Sequence, residues 1–233
     1  MVTEDWIDVL LIYDDYLQVP ALRSLFEYLM DSPDAVSDKL DIAAWNDVAD
    51  INHTTGTASN AANAISEYRD STIGIEFEGY KIKVGSGYTE GPLSNTPHLT
   101  LRTPIEQLSQ SEDTNRIFRY LSKIAQCVER TEPILGIGRP HGFPSRELED
   151  VVRQMPRLDP LLYEYNVFSS ELVEDLGRDR VLSAPAYYVE ELDSGGVFMA
   201  VTEPPKQCGH EGQQCEAVAD QLGLDLANPE RYH

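Results

Sequence analysis

Residues 158–224 mark every boundary of a helix, strand, turn, strand, helix succession, and this constrains the fold class more tightly than any other stretch of the chain. Leu161, Tyr165, Phe168, Leu172 and Leu176 recur at helical spacing, and Gly177 stands where a left-handed cap residue belongs. Residues 186–192 then predict a strand, Asp193-Ser194-Gly195-Gly196 a tight turn, and residues 197–202 the returning strand. Pro204 and Pro205 end that strand because proline donates nothing to a sheet ladder. Cys215, Val218 and Leu222 set a last helical stripe closed by Gly223.

The remainder repeats this vocabulary. Residues 6–13 form an apolar run suited to a strand buried on both faces. Leu22, Leu25, Phe26 and Leu29 follow Pro20 at helical spacing, with the proline placed for a first turn. Residues 41–45 suggest a short strand, and residues 46–63 read mostly as loop, turning helical from Ser59 to Tyr68. Ile75, Phe77, Tyr80, Ile82 and Val84 alternate around Glu78-Gly79 as in a hairpin. A strand at residues 98–102, a helix carrying Ile117, Leu121, Ile124 and Val128, and a short strand at residues 134–137 complete the first part. The expected fold is therefore α+β, with antiparallel hairpins packed on amphipathic helices. The similar outlines of the two parts suggest a pseudo-duplicated split βαβ arrangement. We expect a single domain over residues 1–233, with a weak division between 1–139 and 140–233.

Charge narrows the function classes. Forty acidic residues against 18 basic ones give a formal net charge of -22. Nucleic acid and anionic membranes are poor partners for such a surface, since binding to either relies on Lys and Arg. The acidic residues are spread along the whole chain, as adaptation to a salty cytoplasm requires, and an acidic surface also suits a basic protein partner. Three cysteines, an odd number, argue against a disulfide framework. The acidic residues 3–5 are unlike a secretory signal, and no apolar run approaches the ~20 residues of a membrane span. A soluble cytoplasmic protein is expected.

From Phe118 onward the order of motifs resembles the type VI secretion-associated immunity family. The matching features are Leu135-Gly136-Ile137-Gly138, Pro156-Arg157-Leu158-Asp159, the aromatic run Tyr165-Asn166-Val167-Phe168, Leu176-Gly177-Arg178, and Leu192-Asp193-Ser194-Gly195-Gly196-Val197 followed by Pro204-Pro205. Arg178 stands where that family has a second glycine, its usual tryptophan is missing from the aromatic run, and residues 1–70 add nothing to the match. The resemblance implies a small cytoplasmic protein that neutralises a toxin by binding it, without catalysis and without a cofactor. Glu190 and Glu191, on the strand before the matching turn, are the expected contacts for a basic toxin.

Other chemistry is written more faintly. His53-Thr54-Thr55 and His98-Leu99-Thr100 fit the His-x-Thr pattern of two-histidine phosphoesterases, where paired imidazoles serve as general acid and base on a phosphodiester. This makes a small phosphodiester-cleaving enzyme the alternative function. Cys208, His210 and Cys215 are zinc-type ligands lacking a fourth member, and Cys215 also belongs to the apolar stripe of the last helix. Asp14 and Asp15 end the first strand, where a magnesium site or a plain turn would place them. Tyr163, Tyr165, Tyr187 and Tyr188 suit either a recognition surface or half-buried packing. No catalytic, cofactor or metal residue is assigned from these patterns.

Overall fold

The computed structural model describes residues 5–45, 51–68, 70–86, 93, 96–109, 114–141, 143, 161–208 and 213–227. Its organising element is β1 (Trp6–Ile12), the apolar strand expected at the start of the chain. β1 pairs antiparallel with β6 (His98–Pro104) on one side and with β7 (Leu135–Pro140) on the other. Around it runs a ten-stranded sheet in the order β3-β2-β4-β5-β6-β1-β7-β8-β10-β9, with every neighbouring pair antiparallel. The other strands are β2 (Leu40–Trp45), β3 (Ile51–Gly56), β4 (Asp70–Phe77), β5 (Tyr80–Ser86), β8 (Tyr165–Phe168), β9 (Tyr188–Glu191) and β10 (Val197–Ala200).

Alternation along each strand sorts side chains to two faces. Ile7, Val9 and Leu11 join the large core formed with α1 (Val19–Met30), α2 (Ala58–Glu67) and α4 (Thr114–Thr131). α1 lies close to both α2 and α4. Ala58, Ala61, Ala62 and Ala64 give α2 a narrow buried stripe, which suits this close approach. Leu10 and Ile12 point to the opposite face, into a smaller cluster with Ile137 and Tyr163. Farther along that opposite face, α5 (Ser170–Leu176), α6 (Arg178–Leu182) and α7 (Gln213–Leu222) cover β8 and β10 through Phe168, Val173, Val197, Met199 and Val218. Among the described residues no helix packs on that face from β3 to β6. A short helix, α3 (Ile105–Ser109), follows β6.

The split βαβ arrangement is present three times. β3-α2-β4 straddles β2, β6-α3-α4-β7 straddles β1, and β8-α5-α6-β9 straddles β10. In each, two strands of like direction are joined by helix and separated by one antiparallel strand.

Three expectations are corrected. The helix placed from Leu161 through Leu176 is a strand followed by a shorter helix: Tyr165–Phe168 is β8, with all four residues buried between β7 and β10. Ser169 ends the strand and caps α5 by accepting from the Leu172 N–H at 3.3 Å. The loop assigned to residues 46–63 contains β3 and the start of α2, the latter fixed by a capping box in which Thr57 and Asn60 exchange side-chain to backbone hydrogen bonds. Cys208 and Cys215 form a disulfide, leaving Cys127 as the free, buried thiol among the described residues. An odd cysteine count argues against a full framework but says nothing against one local bridge.

The hairpins at Glu78-Gly79 and Asp193–Gly196, the α4 stripe and the last helix all form as expected. Pro204-Pro205 follows β10 and has a cis peptide bond.

Candidate functional site

The sheet face between β3 and β6, which no described helix covers, forms an open cleft of ≈ 1130 Å³. Trp6, Asp41, His53, Lys81, Lys83 and Arg102 are among its aromatic and charged groups. They reach it because they alternate with core residues: Lys81 and Lys83 flank Ile82, and Thr100 and Arg102 flank Leu101. The cleft lining carries three cations, Lys81, Lys83 and Arg102, against the two carboxylates Asp41 and Asp70. In a chain with 40 acidic and 18 basic residues, this is a local reversal of the charge balance.

The charged groups are arranged by strand register. Asp41 lies opposite Gly74, Gly74 opposite Lys83, Lys83 opposite Arg102, Arg102 opposite Asp8, and Asp8 opposite Arg139. One row of ionic side chains thus crosses the sheet from the open cleft toward the buried middle. At Gly74 a β-carbon would lie 2.9 Å from Lys81 Cε, so the glycine lets Lys81 lie flat and reach Asp41 at 3.3 Å. Arg102 Nε meets Asp8 Oδ1 at 3.3 Å, and Lys83 Nζ sits 4.3 Å from the centre of the Trp6 ring.

The inner end of the row is almost dry. Arg139 is 2% exposed and Glu164 is 1% exposed, with Arg139 Nε 3.7 Å from Glu164 Oε2. Glu164 Oε1 also accepts the Cys208 N–H at 3.0 Å, tying the row to the disulfide segment. Burial pushes the Asp8 carboxyl above the usual carboxylate range, and the Arg102 guanidinium pulls it back only partly. Removing one partner from a buried ion pair leaves an uncompensated charge and costs about 3–5 kcal/mol, so Arg139 and Glu164 each depend on the other being present.

The structure separates the residues singled out from sequence. His53 lies on the edge strand β3 and lines the cleft, whereas His98 lies on β6, four strands away. At ~4.8 Å per strand the two strands are about 19 Å apart, beyond the reach of two imidazoles on one phosphodiester. His98 Nδ1 instead lies 2.7 Å from the Thr96 carbonyl oxygen, and burial pushes its imidazolium below the ordinary value. Asp14 and Asp15 are exposed, and Asp15 accepts the Tyr16 N–H at 2.7 Å in a turn. The Cys208 and Cys215 sulfurs are bonded to each other, while His210 lies outside the described residues. No group of three or more potential metal ligands occurs among the described residues.

Tyr163 and Tyr165 are buried. Tyr187 and Tyr188 pack against the half-exposed Phe118 of α4, with ring centres 5.6 and 6.1 Å away. Glu190 and Glu191 lie on β9 at the sheet edge, where Glu190 accepts the Tyr188 hydroxyl and Glu191 meets Arg178. Arg178 also donates to the Gly195 carbonyl at 3.2 Å, so Glu191 belongs to the support of the hairpin turn.

The fold is shared with a secretion-system protein. The chain matches Pseudomonas aeruginosa T6SS protein PA0821 with a TM-score of 0.55 and 9% sequence identity, over 96% of this chain and 73% of that one. No family model matches, and neither does any curated protein sequence. At so low an identity the likeness describes architecture, and no residue role is transferred with it. No described helix is long and apolar enough to cross a membrane.

Sequence reasoning missed the ionic row, although a signal for it was present. Asp8 interrupts an otherwise apolar strand, and Arg139 follows the short Leu135-Gly136-Ile137-Gly138 strand. A charge at such a position demands a partner across the sheet.

Proposed function

We propose that this chain is a non-catalytic binding protein related to type VI secretion, acting as an immunity-type factor that neutralises a basic toxin inside a salt-adapted cell. The observation that carries the reading is the likeness to the T6SS protein across 96% of the chain. It coincides with motifs that independently resemble an immunity family. The separation of His53 from His98 favours binding over the two-histidine alternative, which requires both rings at one reacting phosphate.

The test has two stages. A tagged chain at multimolar KCl captures its partner from native lysate, and that partner is then expressed alone and together with the chain. Growth arrest by the partner alone, relieved by co-expression, is the expected result. A harmless partner, or arrest that persists with the complex formed, would overturn the immunity reading. Phosphodiester hydrolysis that disappears in His98→Ala would restore the enzyme alternative.

In this reading the β9 edge contributes to the contact. Glu190→Lys should slow association with a basic partner by roughly an order of magnitude at the lowest KCl concentration that keeps the native circular dichroism, because charge steers encounter. Glu191→Lys also removes the partner of Arg178, so its effect on protection is scored beside a thermal melt. Full protection by the double reversal would move the contact away from this edge.

A further inference from the structure

We propose that the small cavity between the end of α4 and the Asp193–Gly196 turn is an arginine subsite, and that its occupant is an Arg side chain presented by the basic partner protein. The inference rests on the binding role proposed above and names a residue that the partner offers.

The cavity measures ≈ 280 Å³. Val128, Pro133, Val167, Phe168 and Leu192 give it apolar walls, and Ser169, Ser170 and Ser194 add hydroxyls. Glu132 is the charged residue of the lining. Among the described residues no hydrogen bond or ion pair engages its carboxylate. The neighbouring acids are occupied: Glu129 accepts the Asp193 N–H at 2.9 Å, and Glu191 meets Arg178. The Glu132 N–H donates to the Val128 carbonyl at 2.9 Å, which seats this residue directly past the last turn of α4. The carbonyls of that turn form the negative end of an 18-residue helix. An apolar cavity with an unengaged carboxylate at a helix C-terminus is complementary to a cation carried on an apolar stem.

Size and charge select among cations. Drug-sized ligands fill pockets of roughly 300–1,000 Å³, so this cavity suits a single side chain. A bare divalent ion asks for about six oxygen ligands, which one carboxylate among apolar walls does not supply. A second copy of this chain would set one net charge of -22 against another. An arginine from a basic protein meets no such barrier. Its methylene stem packs on the apolar walls, and its planar, weakly hydrated head can pair with a carboxylate through two N–H groups while donating to nearby hydroxyl or carbonyl oxygens.

The probes are the capped peptide Ac-Ala-Arg-Ala-amide and its citrulline counterpart, which keeps the shape and removes the charge. Each is titrated into the whole chain at the lowest KCl concentration that keeps the native far-UV circular dichroism, and amide signals are followed by NMR. Saturable shifts centred on Ser170, Ser194 and Gly196 are expected with the Arg peptide, at an affinity at least about 10-fold above that of the citrulline peptide. Glu132→Gln should weaken Arg-peptide binding about 10-fold or more, as loss of a charged hydrogen bond does. Glu132→Gly should lose as much while its melting temperature holds or rises, because Glu132 has a φ of 47° that glycine adopts more readily. Ser170→Phe narrows the cavity without altering charge, at an exposed position, and should also weaken binding about 10-fold or more. Unsaturated shifts spread over the acidic surface, equal binding of the citrulline peptide, or unchanged binding in natively folded Glu132→Gln or Ser170→Phe would each overturn the subsite. A lowered melting temperature in both Glu132 variants would make the residue structural and overturn it as well. The titration needs no toxin, so its failure is separate from a failed growth assay.

Discussion

Gly196 is needed for a contact and not for left-handed backbone. Gly195 is the residue with positive φ, at 82°, and its N–H donates to the Leu192 carbonyl at 2.8 Å to close the turn. A β-carbon on Gly196 would lie 2.7 Å from the backbone oxygen of Phe168, an atom held in the sheet. Gly196→Val should therefore destabilise the protein by about 1–3 kcal/mol, as overpacking does, and denaturant melts will show it as a lower midpoint. His98 gives a pH signature. Its folded pKa lies below the 6.5 of the unfolded chain, chiefly through burial, with the Thr96 hydrogen bond opposing. Below pH 6.5 the unfolded chain binds the proton first, so the stability supplied by neutral His98 is full above that pH and is lost as pH falls toward the folded pKa. In His98→Gln this part of the pH dependence should flatten, as measured by thermal melts from pH 8 downward.

Among the elements, the disulfide ties Cys208, in the segment after β10, to Cys215 on α7, and its redox state discriminates between compartments. The bridge spans a sequence separation of 7, and a loop that short is worth about 2.5 kcal/mol in the chain-entropy account. Cys215→Ser should lower the melting temperature and loosen the Cys208 N–H that Glu164 accepts. Disulfides persist in oxidising compartments, whereas the function proposed above is cytoplasmic. Alkylation of acid-quenched, denatured cells decides the matter: one reactive thiol per chain means a bridged pair, and three mean a reduced protein in a reducing compartment. Cys127 cannot confuse a native-state control, because burial raises its thiol to about 12.

For the whole molecule, the net charge of -22 predicts that stability depends on ionic strength. Self-repulsion is screened over about 10 Å at 0.1 M salt and about 3 Å at 1 M. The melting temperature should rise by at least about 5 °C between dilute buffer and molar KCl, a stabilisation of about 2 kcal/mol for a chain of this size. An unchanged melt and circular dichroism spectrum across that series would remove the salt-adaptation reading.

The sequence alone determined those elements whose signals are local. β1, α1, the β4–β5 hairpin, α4, the Asp193–Gly196 turn and α7 were legible because periodicity, turn glycines and caps act within a few residues. The α+β class followed from them. Tyr165–Phe168 was illegible as a strand because its spacing with Leu161 and Leu172 also satisfies a helix, and burial between β7 and β10 decided between the two. The ionic row was beyond local reasoning for a related cause. Asp41, Lys83, Arg102, Asp8, Arg139 and Glu164 are scattered over residues 8–164, and they line up only because β1 enters the middle of the sheet between β6 and β7. Strand order and register are set by long-range pairing and by which faces the helices cover. Those same long-range pairings left one polar face open and gathered cations there in an acidic protein.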